Sequence, residues 1–174
     1  MPTKFLPATI ATFRKQKSLA ERGVAQLSDD QLRAALDPNT NSIAVIMKHV
    51  GGNLRSRWTD FLSSDGEKSW RNRDDEFVET FASRDEMMQA WEAGWAALFA
   101  TLESLTDADL DREVTIRDEV HSVPLAILRA LDHCGYHTGQ IVLTARLLVG
   151  NNNWQTLTSP CGQSQQFNER FRKS

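Results

Sequence analysis

The sequence predicts an all-α protein: a four-helix bundle with a long crossover between helices two and three. Three observations carry this expectation. Apolar residues recur at steps of three and four along most of the chain, the spacing that gathers side chains on one helix face. Two stretches, Ser28-Asp-Asp-Gln31 and Ser83-Arg-Asp-Glu86, have the form of capping boxes that open helices. Residues 63–82, SSDGEKSWRNRDDEFVETFA, are polar and lack a sustained period. A connection of that length can run along a bundle and leave its flanking helices parallel.

The elements follow in order. Helix one spans Phe5 to Leu27, with Phe5, Ile10, Phe13, Leu19 and Val24 apolar and Arg14, Lys15, Lys17, Glu21 and Arg22 solvated. The first capping box restarts a short helix through Leu36, which Asp37-Pro38-Asn39 breaks. Helix two begins near Asn41 or Ser42 and runs to about Leu62. Helix three follows the second capping box, with a core stripe of Met88, Trp91, Trp95, Leu98, Leu102 and Leu105. Residues 106–119 form a polar connection in which Glu113 to Arg117 can pair briefly as a strand. Helix four starts at about Ser122, tolerates Pro124 in its first turn, and continues to Val149 before Gly150 and three asparagines end it. The tail from about residue 150 is polar, and it is read as a loop anchored by Trp154, Phe167 and Phe171 instead of a fifth core helix.

At 174 residues the chain fits one domain, residues 1–174, and is long enough to bury a core without staples. Hydrophobic residues at 40% and charged residues at 25% argue against disorder. A net charge of -3 and a pI near 5.8 do not supply the basic surface that nucleic acid requires. No stretch of eighteen apolar residues and no signal-peptide core occur, so neither membrane spanning nor secretion is expected. Two cysteines, Cys134 and Cys161, are too few for a disulfide framework, and a reducing cytoplasm fits best.

The chemistry concentrates in DHCGYHTGQI, residues 132–141. His133 and His137 are four apart and share a helix face with Ala126, Ala130, Ile141, Thr144 and Leu148, the face turned to the core. Helix two places His49 similarly among Ile43, Ile46 and Val50. Buried imidazoles need partners, because an unsatisfied buried polar group costs roughly 1–3 kcal/mol. A divalent ion between facing helices is one partner, and hydrogen-bonded core histidines are the alternative. Cys134 follows His133, so the zinc-protease pattern H-E-x-x-H is absent; no Glu-x-x-His occurs either, which disfavours a carboxylate-rich di-iron bundle. His121 precedes the helix and reads as a surface or capping residue. Glycines at 51, 52, 135 and 139 accompany the histidines. Gly135 and Gly139 either admit a close helix on the opposite face or mark a weak helix.

With His49, His133 and His137 in place, the sequence resembles the DinB-like (DinB/YfiT) superfamily of metal-binding four-helix bundles, in particular its DUF1572 branch. The resemblance rests on SIAVIMKHVGGNLRSRWTDFLSSDGEKSWRNRDDEF, WEAGWAALFATLESL, EVHSVPLAILRALDHCGYHTGQIV and the tail near SPCGQSQQFN. It implies an up-down-down-up bundle, a metal triad of His49, His133 and His137, and frequent homodimers. For activity it implies metal-dependent chemistry: transfer of low-molecular-weight thiols onto small electrophiles in some relatives, and a hydrolase label in others.

Three protein ligands leave a position open for exchange, as catalytic sites do. The expected enzyme holds zinc, nickel or iron on the triad and activates a thiol or water. Arg55, Arg57, Arg71 and Arg73 are candidate anchors for an anionic thiol, with Trp58 and Trp70 as pocket walls. Gln140 and Asn53 are candidate partners of a ligand at the ion, and no general base is evident. The rival is a non-catalytic protein in which an ion or the histidines only fix the bundle and its dimer.

Overall fold

The computed structural model describes residues 4–172, and the side chains of these except 167 and 170–172. It is mostly helical with one small hairpin: α1 (Phe5–Val24), α2 (Asp29–Arg33), α3 (Ile43–Trp58), α4 (Arg84–Ser104), β1 (Glu113–Ile116), β2 (Glu119–Ser122), α5 (Val123–Val149) and α6 (Ser164–Arg172). Four long helices share one core. It contains Phe13 of α1, Ile43, Met47 and Leu54 of α3, Trp91, Trp95 and Leu98 of α4, and Ile127 and Ile141 of α5, all 1% exposed or less. No helix among the described residues is long and apolar enough to cross a membrane.

The serines mark the starts as their side chains dictate. Ser28, Ser42, Ser83 and Ser122 each accept a backbone N–H of the first turn, the orphan donors that a helix N-terminus leaves. At Ser28 the box closes, Gln31 accepting from the Ser28 N–H; at the second start Glu86 accepts from Ala82 instead of Ser83. Pro124 sits in the first turn of α5, and Gly150 ends it at φ 80°, in the left-handed region that glycine adopts freely.

Several boundaries differ from expectation. Helix two stops at Trp58, because Thr59 is extended and Asp60 takes φ 50°; Phe61 then stacks on Trp58 at 4.6 Å, so its apolar character serves packing outside the helix. The short helix ends at Arg33, and Leu36 is exposed. On α4 Met87 is the more buried methionine, with Met88 packed at the edge. The tail is not all loop: α6 forms within it, while Trp154 packs against the core from the segment before it. The side chains expected to anchor at Phe167 and Phe171 lie outside the described ones.

The glycines act elsewhere than expected. A methyl group at Gly94 would meet the backbone of Gly51, 2.8 Å from its Cα, and one at Gly51 would meet Ala90 O at 2.9 Å. The close helix approach that glycines permit is thus α3 on α4. Gly135 faces only the end of Gln16, and a Cβ at Gly139 would meet nothing.

The long connection lies along α3. Ser56 Oγ donates to Gly66 O near the end of α3, and Lys48 Nζ donates to Val78 O and Thr80 Oγ1 one end earlier. This docking lays the connection beside His49. The hairpin turns through Arg117 (φ 57°) and Asp118 (φ 61°), the paired left-handed residues of a two-residue turn. Asp65 from the connection accepts both turn N–H groups at 2.9 Å and holds that conformation.

Candidate metal centre

The structure gathers His49 of α3 with His133 and His137 of α5: one nitrogen of each lies within 4.8 Å of the other two. His49 is buried and the other two are half-buried. Each ring is held from outside. His49 Nδ1 lies 3.0 Å from Glu76 Oε2, and a carboxylate only accepts, so the proton belongs on Nδ1 and Nε2 keeps a lone pair. His137 Nδ1 lies 2.7 Å from Gln140 Oε1, with the same consequence for its Nε2. Gln140 is itself held by Tyr136, whose hydroxyl accepts from Nε2 at 3.1 Å. His49 also stacks on Phe77 at 4.7 Å.

His133 completes the set. Its Nε2 is 3.1 Å from His49 Nε2, and its Nδ1 is buried with no hydrogen-bond partner. Burial, aided by His137, His49, Arg71 and Arg57, pushes its pKa down to about 3, so the ring is neutral near pH 7. Burial lowers His137 as well, against the Gln140 bond. Neutral imidazoles with inward lone pairs are the donor set that zinc, nickel and iron prefer. Two nitrogens bound to one tetrahedral ion at roughly 2.0–2.1 Å would sit about 3.3 Å apart, near the 3.1 Å found here. The residues present fit a divalent ion.

Glu76 has no counterpart in the sequence reading. It comes from a 3-10 turn, Asp74–Phe77, in the long connection, and its side chain is 8% exposed. Arg71 grips it with Nε and Nη2, each at 2.8 Å. Burial opposes its ionisation, but the Arg71 and His49 bonds prevail and hold the carboxyl below its usual range. Such outer partners orient metal-bound imidazoles and raise their basicity. One buried acid among the nine charged residues of a polar stretch gave no periodic signal.

A cavity of about 170 Å³ opens beside His49 and His133. Of the residues expected to bind substrate, Arg57, Trp58 and Arg73 line it, and so does Asn53, expected as a partner of a ligand at the ion. Arg71 does not serve as expected: its side chain is 2% exposed and its fork is spent on Glu76 and Glu67. Arg55 and Trp70 stack on each other at 5.1 Å, outside the cavity lining. Gln140 orients His137. His121, expected at the surface, is 5% exposed; its Nδ1–H donates to Glu119 O and its Nε2 accepts from Arg129.

Residues 1–163 match the family described as a protein of unknown function, DUF1572. The chain belongs to the DUF1572 family. It is 28% identical over 146 residues to a Geobacillus kaustophilus protein named "Putative metal-dependent hydrolase", a match covering 76% of this chain and 79% of that one. A crystal structure of a conserved protein from Enterococcus faecalis superposes with a TM-score of 0.65 at 17% identity, covering 87% of this chain and 99% of the other. That likeness concerns the fold alone.

Proposed function

We propose that this DUF1572 protein is a metal-dependent enzyme of the DinB-like superfamily, with a divalent ion held by His49, His133 and His137. The observation that carries the reading is the convergence of three imidazole nitrogens within 4.8 Å, two of them with lone pairs turned inward by Glu76 and Gln140. An ion with an open position supplies a Lewis acid that lowers the pKa of a bound water or thiol. The similarity to the protein named as a hydrolase favours water. The cavity lining is compatible with a thiol as well: no aspartate or glutamate among the described residues lines it, and a metal-coordinated thiol loses its proton without such a base. The chain's own residues shape the site, with Trp58 and Phe61 excluding water from one wall and Asn53 offering an amide beside His49.

The fold reading is an up-down-down-up four-helix bundle. Support comes from the pairings along it: Arg14 with Glu103 and Lys17 with Glu92 run α1 against α4, Thr101 bonds Trp58 O where α3 and α4 end together, and Gln16 and Gln31 reach Leu131 and Leu148 along α5. A homodimer through α5 is part of the proposal. Leu125, Leu128, Tyr136, Leu143 and Leu147 are each about half exposed or more and fall on one face of α5, which also presents Gly139. Free Cys134 and Cys161 agree with a reducing cytoplasm.

Elemental analysis of tag-free protein never exposed to a nickel column tests the metal. Near-stoichiometric zinc, nickel or iron is expected, absent from His137→Ala, and metal-stripped protein is expected to keep its helical circular dichroism. Collapse of the fold with the ion would favour the structural rival. No metal after reconstitution would sink the proposal. Assays of the loaded protein with an activated ester, with and without small thiols, then separate hydrolysis from thiol transfer.

A further inference from the structure

The cavity beside the triad carries charge of one sign. Arg57, Arg73, Arg117 and Arg129 line it and no carboxylate among the described residues does, in a chain whose net charge is -3. Glu67, an acid bonded to two of these arginines, is shared: its carboxylate lies 3.2 Å from Arg57, 3.3 Å from Arg71 and 3.0 Å from Arg117. Arg71 is also paired with Glu76, so Arg57 and Arg117 divide the one Glu67 carboxylate between them and keep a cationic excess. Arg129 donates to His121, which carries no negative charge, and the Arg73 guanidinium is in no ion pair among the described residues.

Two further observations point to an acceptor. Arg57 Nη1 and Trp58 Nε1 are buried N–H donors without a partner, and both residues line the cavity; Trp58 is 3% exposed. Unsatisfied donors of this kind are costly unless an oxygen meets them. Burial, opposed by Glu67 and reinforced by the Arg71, Arg117 and Arg129 charges, brings the Arg57 pKa down to about 10, so it is still cationic near pH 7. Apart from the arginines, Asn53 and the two histidines, the wall is apolar, from Trp58, Phe61, Ile116, Ala126 and Ala130.

We infer that this cavity takes a small organic anion, its carboxylate or phosphate held by Arg57, Arg73, Arg117 and Arg129 and its apolar body laid against Trp58 and Ile116, beside the histidine triad. Planar guanidiniums match the paired oxygens of either group, and a cleft lined by charge of one sign concentrates ions of the other. The inference deepens the proposed metal enzyme by naming its substrate class, yet the anchor stands on the arginines and not on the ion.

Calorimetric titration of the full chain, metal-stripped and zinc-loaded, with hexanoate, hexyl phosphate and hexanamide tests it. Saturable binding of at least one anion is expected, weakened by salt, with hexanamide inert; the two anions report which head group is preferred. Arg57→Gln is expected to weaken binding about tenfold, the scale of one charge-assisted hydrogen bond, and Arg73→Gln by a smaller factor. Hexanamide binding as well as hexanoate, or anion binding unchanged in both variants, would overturn the inference. Anion binding that needs zinc and ignores both substitutions would overturn it while leaving the metal reading intact. Arginine-dependent binding in protein that takes up no zinc would support it while removing the metal. Should Arg57→Gln not fold, the exposed Arg73 and the hexanamide control still decide.

Discussion

Replacing Glu76 with glutamine tests how far the metal centre depends on a residue remote in sequence from its histidines. The carboxylate accepts from His49 at 3.0 Å and twice from Arg71 at 2.8 Å, inside a site where the two partners of the ion pair are 8% and 2% exposed. Glutamine has the same shape, but one terminal atom becomes an NH2, so a donor now faces a donor at His49 or at Arg71. Two effects of different size follow. Loss of an outer partner of a metal ligand weakens metal binding about 10–100-fold. Breaking a buried ion pair costs about 3–5 kcal/mol of stability, an upper range here because Glu67 still bonds Arg71. Zinc competition against a chromogenic chelator reads the first, and denaturation of metal-stripped protein reads the second. Glu76→Gln is expected to lose at least about tenfold in zinc affinity and to unfold at lower denaturant. Adding Arg71→Met removes the stranded cation; stability is expected to recover in part, while affinity stays low because a neutral amide polarises His49 less than a carboxylate. Wild-type affinity in the single variant, or its full return in the double, would refute the assigned role.

The helix crossing makes Gly94→Ala destabilising by about 1–3 kcal/mol, since its methyl would press on the Gly51 backbone; a wild-type melting temperature would contradict the packing. Burial pushes the Cys134 thiol up to about 12 whereas Cys161 is exposed, so a disulfide reagent is expected to titrate one thiol per native chain and two in denaturant. His133, held at about 3, and His137, also below the ordinary 6.5, stay neutral in the folded metal-free protein while the unfolded chain takes up protons. Stability is therefore present above pH 6.5 and falls as pH drops from there toward 3. Denaturation midpoints at about pH 7.5 and 5 are expected to differ, and to differ less in His133→Leu; equal differences would refute it. Leu143→Glu, on the exposed face of α5, is expected to convert a dimer to monomers in analytical ultracentrifugation; a wild-type protein that is already monomeric refutes the dimer.

Helix starts and the inward histidines were legible because each is a local rule: a serine hydroxyl for an orphan N–H, a step of four for a shared face. Trp91, Trp95 and Leu98 read as core for the same reason. What was not legible is long-range. Helix two stops at Trp58 because of the Thr59 and Asp60 backbone, although the apolar pattern continues through Phe61 and Leu62. Glu76 looked like one more charge in a polar connection until that connection docked along α3. Arg71 and Arg57 were equivalent in sequence; only the fold commits one to Glu76 and turns the other toward the cavity. His121 shows the same limit, since it is buried on β2 with its Nε2 bonded to Arg129 of α5.

The Asp65 clasp on the hairpin divides labour between parts of the chain that can vary separately. The imidazoles ride on rigid helices, whereas Arg117 is carried by a two-residue turn and Arg73 by an irregular segment. Exchanging residues at the turn changes the charge facing the cavity without moving a helix or an imidazole. Descendants of one ancestral centre can thus diverge in the molecules they accept while inheriting the same reactive core, and a designer seeking new selectivity has the same two places to begin.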